Sequence, residues 1–287
     1  MWGYGQCLDN IKSIVVELNS LFATLIELMT NDTLLVSATN AVPDLVSVIK
    51  GTSLTLCVMF FLIDFFTKTL HLQWVTWENV MMLVIKLVAA KVCVDNSEFF
   101  TTVLYNGFNS FVDAIGGTII QYSFIDTSDW GVVCKYFVST SQASQIMNNT
   151  DAGFLNFQPL ILNMQISIQG LIMKIVMIIA NVIVIARLFE LTVYTMIAPV
   201  PLSTFACDSL SDVGKGFLKS YAAVTLQSIV LAVMFIAYTA VNDALVAGRI
   251  GAYHPQLDEI LGLVTTITLG IGVMSSGSWA KKICGAM

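Results

Sequence analysis

The chain has 287 residues, of which 56% are hydrophobic and only 11% are charged, and its mean hydropathy is +0.81. A soluble domain carries about 25% charged residues, so this composition excludes a soluble globular protein and predicts an all-α, polytopic membrane protein. The formal net charge of −6 argues against the basic surface that nucleic-acid-binding proteins usually need.

The first predicted element is an amphipathic helix over residues 8–29. A single apolar stripe is typical of a helix that lies on a membrane or packs on another helix. Such a helix either covers the membrane bundle or binds a partner, and the pattern does not choose between these roles. The first five residues lack the features of a cleavable signal peptide, so we expect the membrane spans to direct insertion. The stripe is formed by Leu8, Ile11, Val15, Leu18, Phe22, Leu25 and Met29.

About five transmembrane helices are predicted, since a helix needs about 20 apolar residues to cross a bilayer. Four segments meet this requirement: 46–66, 168–198, 221–241 and 258–276. A fifth segment, 79–94, is shorter and carries Lys86 and Lys91. Prolines fit helix ends better than helix interiors, and here they lie at the predicted span boundaries. They are Pro43, Pro159, Pro199, Pro201 and Pro255.

Between the second and third spans, residues 99–124 are helix-like but are interrupted by Asp113, Gly116 and Gly117, which predicts an interfacial or re-entrant segment. The stretch 125–165 is rich in polar residues and is predicted to be an exposed loop. The predicted organisation is therefore an amphipathic segment, two spans, a central extracytoplasmic region, and three spans with a cytoplasmic tail. Their bounds are 1–43, 44–94, 95–165 and 166–287.

Basic residues predict the orientation, because lysine and arginine accumulate on the cytoplasmic side. With five spans and a cytoplasmic carboxyl end, five basic residues lie inside and three lie outside. Region 95–165 has one lysine against six acidic residues, which fits an outer location. We therefore expect an outer amino terminus. Splitting 166–206 into a hairpin near Arg187 would give six spans and change this parity, but no glycine or proline marks a turn near that residue. The inner residues are Lys68, Lys215, Lys219, Lys281 and Lys282, and the outer ones are Lys12, Lys135 and Arg249.

Charged residues within apolar spans are costly and usually face a protein partner or a water-filled path. Arg187 and Glu190 are three positions apart on one helix face, so we expect them to pair. Such a pair either clamps two spans together, which we prefer, or lines a polar path. Lys86 needs a partner, for which Asp64 is the nearest candidate, while Lys91 can extend toward the membrane interface. Lys174 is a further charge in the long span.

The motifs of common enzymes and metal sites are absent from the sequence: it has no HExxH, GxSxG, phosphate-binding loop or CxxC pair. We therefore expect no catalytic residue, metal or cofactor. Cys7 and Cys134 would share the outer side, which leaves a disulfide between them as an open alternative. On the last span, Gly262, Thr266 and Gly270 place a small residue at every fourth position. Such a stripe allows close helix contact in lipid, either in a homo-oligomer, as we expect, or within one bundle.

A proline-containing turn carries a family resemblance. Residues 186–191 (ARLFEL), 197–202 (IAPVPL) and 213–221 (VGKGFLKSY), followed by Leu226 and Gln227, resemble the TrbL-like polytopic inner-membrane channel family of type IV secretion and conjugation systems. The tail 277–282 (GSWAKK) is similar to tails in this family. The family-like residues of the turn are Pro199, Pro201, Lys215 and Lys219. Many relatives have a tryptophan where this chain has Phe217, so roles tied to that tryptophan are not transferred.

The resemblance implies a non-enzymatic channel or scaffold subunit that helps move DNA or protein across a bacterial inner membrane. Implied partners are further copies of the chain, other membrane subunits, the machine's ATPases, the translocated substrate and the lipid bilayer. Two alternatives stay open. A secondary transporter would usually show internal repeats with interrupted spans, and the unequal spans here lack that symmetry. A purely structural membrane scaffold would have the same sequence pattern.

Overall fold

The computed structural model describes residues 4–30, 37, 40–70, 77–119, 124–148, 157–247 and 255–286. Within these residues every regular element is a helix and no strand occurs, which confirms the all-α prediction. Two short 3₁₀ helices, Thr204–Ala206 and Asp208–Leu210, lie between the α-helices Pro199–Ser203 and Ser211–Ala247. The α-helices are α1 (Tyr4–Thr30), α2 (Pro43–Leu70), α3 (Trp77–Asp95), α4 (Ser97–Ile119), α5 (Trp130–Lys135), α6 (Thr140–Met147), α7 (Gln158–Ile197), α8 (Pro199–Ser203), α9 (Ser211–Ala247) and α10 (Pro255–Cys284).

Four helices in the described part of the chain are long and apolar enough to cross a membrane: Pro43–Thr69, Gln158–Ile197, Asp208–Leu245 and Leu261–Cys284. They overlap the four longer predicted spans and indicate a membrane protein. The fifth predicted span is the 19-residue helix α3, which is not among the four. Helix α3 carries two acidic and two basic residues within its length, which lowers its mean hydropathy.

Helix α7 presents an apolar stripe to its surroundings. Large hydrophobic side chains are exposed every three or four residues from Ile161 to Phe189. At 1.5 Å per residue this stripe is about 42 Å long, and the 40-residue helix is about 60 Å long. A bilayer has a hydrocarbon core of about 30 Å, so the stripe is long enough to face lipid across a whole membrane. Its members are Ile161, Met164, Ile168, Leu171, Ile175, Ile178, Val182, Ile185 and Phe189.

Two predictions for the central region need correction. Residues 99–119 belong to one uninterrupted helix, α4, so the expected interruption at Asp113, Gly116 and Gly117 is wrong for the backbone, while 120–123 lie outside the described residues. The stretch 125–165 contains α5, α6 and the start of α7, so the exposed-loop prediction is wrong there.

The polar residues of this stretch begin helices and do not form a loop. The Asp129 carboxylate accepts the Gly131 backbone N–H at 2.8 Å, and Ser139 forms a capping box with Gln142. Such side chains satisfy backbone donors that a helix leaves free at its amino end. The short helices and the turn between them bury apolar residues, among them Val133, Phe137 and Ile146.

The chain divides into two compact units. The first contains Met1–Thr30, Val112–Ile185 and Ser228–Ser276, and the second contains Asn31–Phe111, Ala186–Gln227 and Gly277–Met287.

In the first unit, α1 covers the core with its apolar stripe. Ile11, Val15 and Leu18 are each 0% exposed, and Phe22 packs its ring against Phe124 and Phe235. On the same helix, the Asn19 side chain donates to the Ile125 carbonyl at 3.2 Å and accepts its N–H at 3.1 Å. Because the stripe is buried by this chain's own residues, the structure favours the covering role of α1 over binding of a partner by that stripe.

The small-residue stripe of α10 also packs inside the first unit. A Cβ atom on Gly262 would collide with the Tyr136 carbonyl oxygen, and one on Gly270 would lie 3.1 Å from Val176 Cγ2. Thr266 Oγ1 accepts a 3.4 Å hydrogen bond from Gln169 Nε2 and itself donates to the Gly262 carbonyl oxygen. The stripe therefore lets helices approach within one chain, which agrees with the alternative of packing within one bundle, while the homo-oligomer stays a prediction.

Replacement of Gly262 by alanine is expected to destabilise the folded chain by about 1–3 kcal/mol, because the new methyl group meets a backbone oxygen that cannot rotate away. Gly107→Ala is the matched control, since nothing lies within 4 Å of its Cβ position and removal of a helical glycine favours the helix by about 1 kcal/mol. Unfolding in mixed micelles measures both. A stable Gly262→Ala protein whose oligomers dissociate would instead assign the stripe to contacts between copies.

Cys7 and Cys134 are both buried free thiols, so the alternative of a disulfide between them is not realised. Cys7 Sγ donates to the Pro159 carbonyl oxygen at 3.4 Å. Burial is the main cause that raises the pKa of Cys134 to about 11, with a further contribution from the nearby Asp129. The pKa of Cys134 in the folded chain lies above the value of 9.0 for a free thiol. The protonated thiol therefore contributes its full share to the free energy of unfolding below pH 9, and this share is lost as the pH rises toward 11.

Cys134 is expected to stay unmodified by a maleimide at neutral pH until the protein unfolds, because the reactive thiolate is scarce and the sulfur is enclosed. The half-buried Cys284 is the internal comparison and should react earlier in the same sample. Peptide mapping after timed labelling checks the order. Equal labelling rates for the two cysteines, or a recovered Cys7–Cys134 linked peptide, would contradict this picture.

Candidate functional site

In the described part of the second unit, residues 198–210 form an irregular segment, which we call the proline segment. Helix α7 ends at Ile197, and Pro199 and Pro201 follow; proline lacks the N–H that a continuing helix would use. One side-chain hydroxyl group links the segment to its own backbone and to the start of α9. The Thr204 hydroxyl donates to the Pro201 carbonyl oxygen at 2.7 Å and accepts the Gly214 N–H at 3.1 Å. The segment is thus a compact turn that consists of the single helical turn α8 and the two short 3₁₀ helices.

The proline segment packs along α2 and α3. Near its start, Ala198 and Leu202 contact Val94 of α3 and Leu54 of α2. Farther on, Ala206 forms a buried cluster of small side chains with Cys57 of α2 and Ala90 of α3. Small residues at these positions allow the irregular backbone to approach both helices closely. Residue numbers rise along α2 and fall along α3 over the same path, so the two helices run antiparallel there.

At the end of this path four charged side chains form the lysine–aspartate network: Asp64 and Lys68 of α2, Lys86 of α3 and Asp208. The Asp208 carboxylate accepts hydrogen bonds from Lys68 Nζ at 2.5 Å and from Lys86 Nζ at 2.7 and 2.9 Å. Lys68 Nζ also donates to Asp64 Oδ2 at 2.6 Å. Two positive and two negative groups therefore balance within one cluster.

Burial differs sharply across the network. The side chain of Asp64 is 5% exposed, whereas that of Asp208 is 51% exposed. The buried carboxylate needs its pairing with Lys68, because an isolated buried charge costs several kcal/mol. Asp208 instead forms ion pairs and is also accessible at the surface of the chain. The network can therefore fix the proline segment to two helices and still offer a carboxylate to a partner.

The predicted pairing of Lys86 with Asp64 is wrong, since each of these residues has a different partner. Sequence reasoning identified both charges but missed Asp208 and the role of Lys68. A usable signal existed for one pair, because Asp64 and Lys68 are four residues apart on a helix. Nothing local links Lys86 to Asp208, which are 122 positions apart in the sequence.

Arg187 occupies a second polar site in this unit and is 2% exposed. Its Nε–H donates to the Val224 carbonyl oxygen at 3.0 Å, and Nη1 has no hydrogen-bond partner among the described residues. Around it lies a buried cluster that includes Tyr105, Leu191 and Tyr221. The guanidinium group therefore ties α7 to α9 through a backbone carbonyl.

The predicted Arg187–Glu190 pair is absent from the ion pairs of the described chain. The Glu190 side chain instead lies near the Tyr194 hydroxyl group, one turn further along α7. Three-residue spacing puts two side chains on the same helix face, but it does not fix their directions. Arg187 points into the packed contact with α9, where it reaches a carbonyl, while Glu190 is only partly buried.

The other predicted site residues lie apart from the network. Lys174 forms an ion pair with Glu17 of α1, which places it in the first unit. Lys91 is exposed on α3. Lys215 pairs with Asp212 at 3.1 Å, and Lys219 is exposed on the same helix. In the described part of the chain, no group of three or more His, Cys, Asp or Glu side chains could hold a metal ion.

Comparison of the chain with protein-family models, with curated proteins and with solved structures finds no match. The TrbL-like resemblance therefore stays a prediction from the sequence.

Proposed function

We propose that the chain is a non-enzymatic, multi-pass subunit of a type IV secretion machine, located in a bacterial inner membrane, where it helps translocate DNA or protein. The TrbL-like resemblance supplies the family. The observation that carries the proposal is the position of the proline segment, which bears part of that resemblance. This segment packs along α2 and α3 and is fixed by the lysine–aspartate network.

Irregular backbone within a membrane is tolerated only where protein or a water-filled path surrounds it. The small residues of α2 and α3 supply the protein surroundings, and the network ties down the end of the segment. A translocation subunit can use such an element as a fixed contact point between its spans and neighbouring subunits. Asp208, half-exposed beside two lysines, is the group that would meet a partner such as an ATPase, a membrane subunit or another copy.

Gene deletion in the native host tests this role. Loss of the gene should abolish transfer of a mobilisable plasmid to recipient cells without slowing growth, and the parental gene should restore transfer. Crosslinking in the active machine then distinguishes a pore-lining subunit, which contacts the substrate, from a structural scaffold, which does not. Normal transfer after deletion, together with solute uptake by proteoliposomes that contain the purified chain, would favour a secondary transporter instead.

Within this proposal, α3 also crosses the membrane, which raises the number of spans from four to five. The amino terminus and region 95–165 lie outside, and the carboxyl end lies in the cytoplasm. The antiparallel packing of α3 along α2, through Cys57 and Ala90, supports a return across the membrane. The same packing brings Lys86 to the level of Lys68, since both lysines donate hydrogen bonds to Asp208. The basic-residue distribution supplies the direction.

Single cysteines at Ser141 and Ser278, both exposed positions, test the topology. An impermeant thiol reagent should label Ser141→Cys in intact cells and Ser278→Cys only after the membrane is permeabilised. Labelling of both from outside would show an even number of spans between the two positions and contradict the three crossings assigned to α7, α9 and α10. Labelling of Ser278→Cys alone would reverse the orientation.

A further inference from the structure

A pocket of about 310 Å³ lies in the first unit, between the turn after α5, the start of α7 and α10. Small-molecule sites in proteins have volumes of about 300–1,000 Å³, so this pocket can hold a small ligand or part of a larger one. Its lining combines hydrophobic side chains with one cation and two amides. The residues that matter for its chemistry are Lys135, Met164, Gln165, Ile168, Gln169 and Leu263.

Lys135 differs from the other half-buried lysines. Lys50, Lys68, Lys86 and Lys174 each form an ion pair, and Lys12 lies over the Trp130 ring. Lys135 is also half-buried, but it has no ion pair, hydrogen bond or ring contact among the described residues. A cation without a partner gains from an anion, and none of the described residues that line the pocket is a carboxylate.

The apolar wall of the pocket is continuous with the exposed stripe of α7. Met164 and Ile168 line the pocket and are 66% and 51% exposed. Both lie near the start of the candidate span Gln158–Ile197, and Leu263 lies near the start of the candidate span Leu261–Cys284. The ends of spans lie where the hydrocarbon core of a bilayer meets its headgroups. A bound acyl chain could therefore lie along the stripe with its headgroup at the pocket.

We propose that this pocket binds one anionic phospholipid, with the phosphate beside Lys135 and an acyl chain against Met164, Ile168 and Leu263. The Gln165 amide, also half-buried, supplies a hydrogen-bond donor for the phosphate oxygens. An anionic lipid fits better than a zwitterionic one. The ammonium group of a zwitterionic headgroup would need an acidic partner, and the only charged residue in the described lining is the cation Lys135.

Native mass spectrometry of the full chain in a mild detergent tests this site, with phosphatidylglycerol and phosphatidylcholine of the same acyl chains as probes. The parent should bind phosphatidylglycerol more tightly than phosphatidylcholine. Lys135→Gln should weaken phosphatidylglycerol binding by about five-fold, the effect expected for one basic residue near a lipid surface, and Lys135→Arg should retain it. Leu263→Trp, which fills the apolar end, should weaken both lipids.

Lys281→Gln is the matched control, because it removes an exposed cation outside the pocket and should change neither affinity. Circular dichroism and gel filtration check that each variant is folded. Lipid binding by the Lys135→Arg protein would show that the loss in Lys135→Gln comes from the missing charge and not from misfolding. The proposal is overturned if the parent binds both lipids equally or if Lys281→Gln loses as much affinity as Lys135→Gln. Full competition by inorganic phosphate would also overturn it, since the acyl chain would then contribute nothing.

Discussion

Arg187→Ala is expected to lower the free energy of unfolding by about 3–5 kcal/mol, the range of large truncations in packed cores. Arg187 is among the largest fully buried side chains in the described chain, so its removal leaves a cavity beside Tyr105 and Tyr221. It also leaves the Val224 carbonyl without its side-chain donor. Unfolding by a denaturing detergent in mixed micelles measures the loss.

Arg187→Met separates packing from charge. Methionine fills much of the same volume, and the variant removes a buried cation that is only partly satisfied, so we expect a change of about 1 kcal/mol or less. If Arg187→Met folds normally but fails in plasmid transfer, the charge itself serves translocation. A loss of stability as large as that of Arg187→Ala would show that the guanidinium hydrogen bond dominates.

Glu190→Gln gives a second comparison at this site. Because Arg187 and Glu190 do not form an ion pair, we expect their double-mutant coupling energy to be below about 0.5 kcal/mol. A larger coupling would restore the paired interpretation that the sequence spacing favours.

Asp208→Lys is expected to be the most damaging change in the lysine–aspartate network. It replaces the shared partner of Lys68 and Lys86 with a third cation. Asp208→Asn should cost about 1–2 kcal/mol, since two ion pairs are lost at a half-exposed carboxylate where solvent weakens each of them. The charge reversal should cost more, because like charges then repel at close range. We expect plasmid transfer to fall in the same order.

Asp212→Asn is the matched control for Asp208→Asn. Asp212 also pairs with a lysine, but its side chain is 90% exposed and its partner, Lys215, is three positions away on the same helix. The change should therefore cost less than about 0.5 kcal/mol. Equal effects of the two substitutions on stability and transfer would mean that Asp208 does not anchor the proline segment. Partial recovery of Asp208→Asn by Lys86→Gln would support the assigned contact.

Local sequence patterns predicted much of the fold. The period of apolar residues in 8–29 gave the buried face of α1, and four apolar stretches gave the four helices long enough to span a membrane. Both depend on properties that repeat along one helix, so a single sequence contains them. The short helices α5 and α6 were missed, because cap residues such as Asp129 and Ser139 have the composition of an exposed loop.

The sequence by itself determined that the chain is helical and apolar enough for a membrane, and that costly charges lie within its spans. Only the tertiary structure decided which groups meet: Lys86 with Asp208, Arg187 with the Val224 carbonyl, and Gly262 with the backbone of Tyr136. Spacing along a helix determines which residues lie on the same face of that helix. The partner on another part of the chain depends on how the helices pack over separations of 37 to 126 residues, which no local pattern contains.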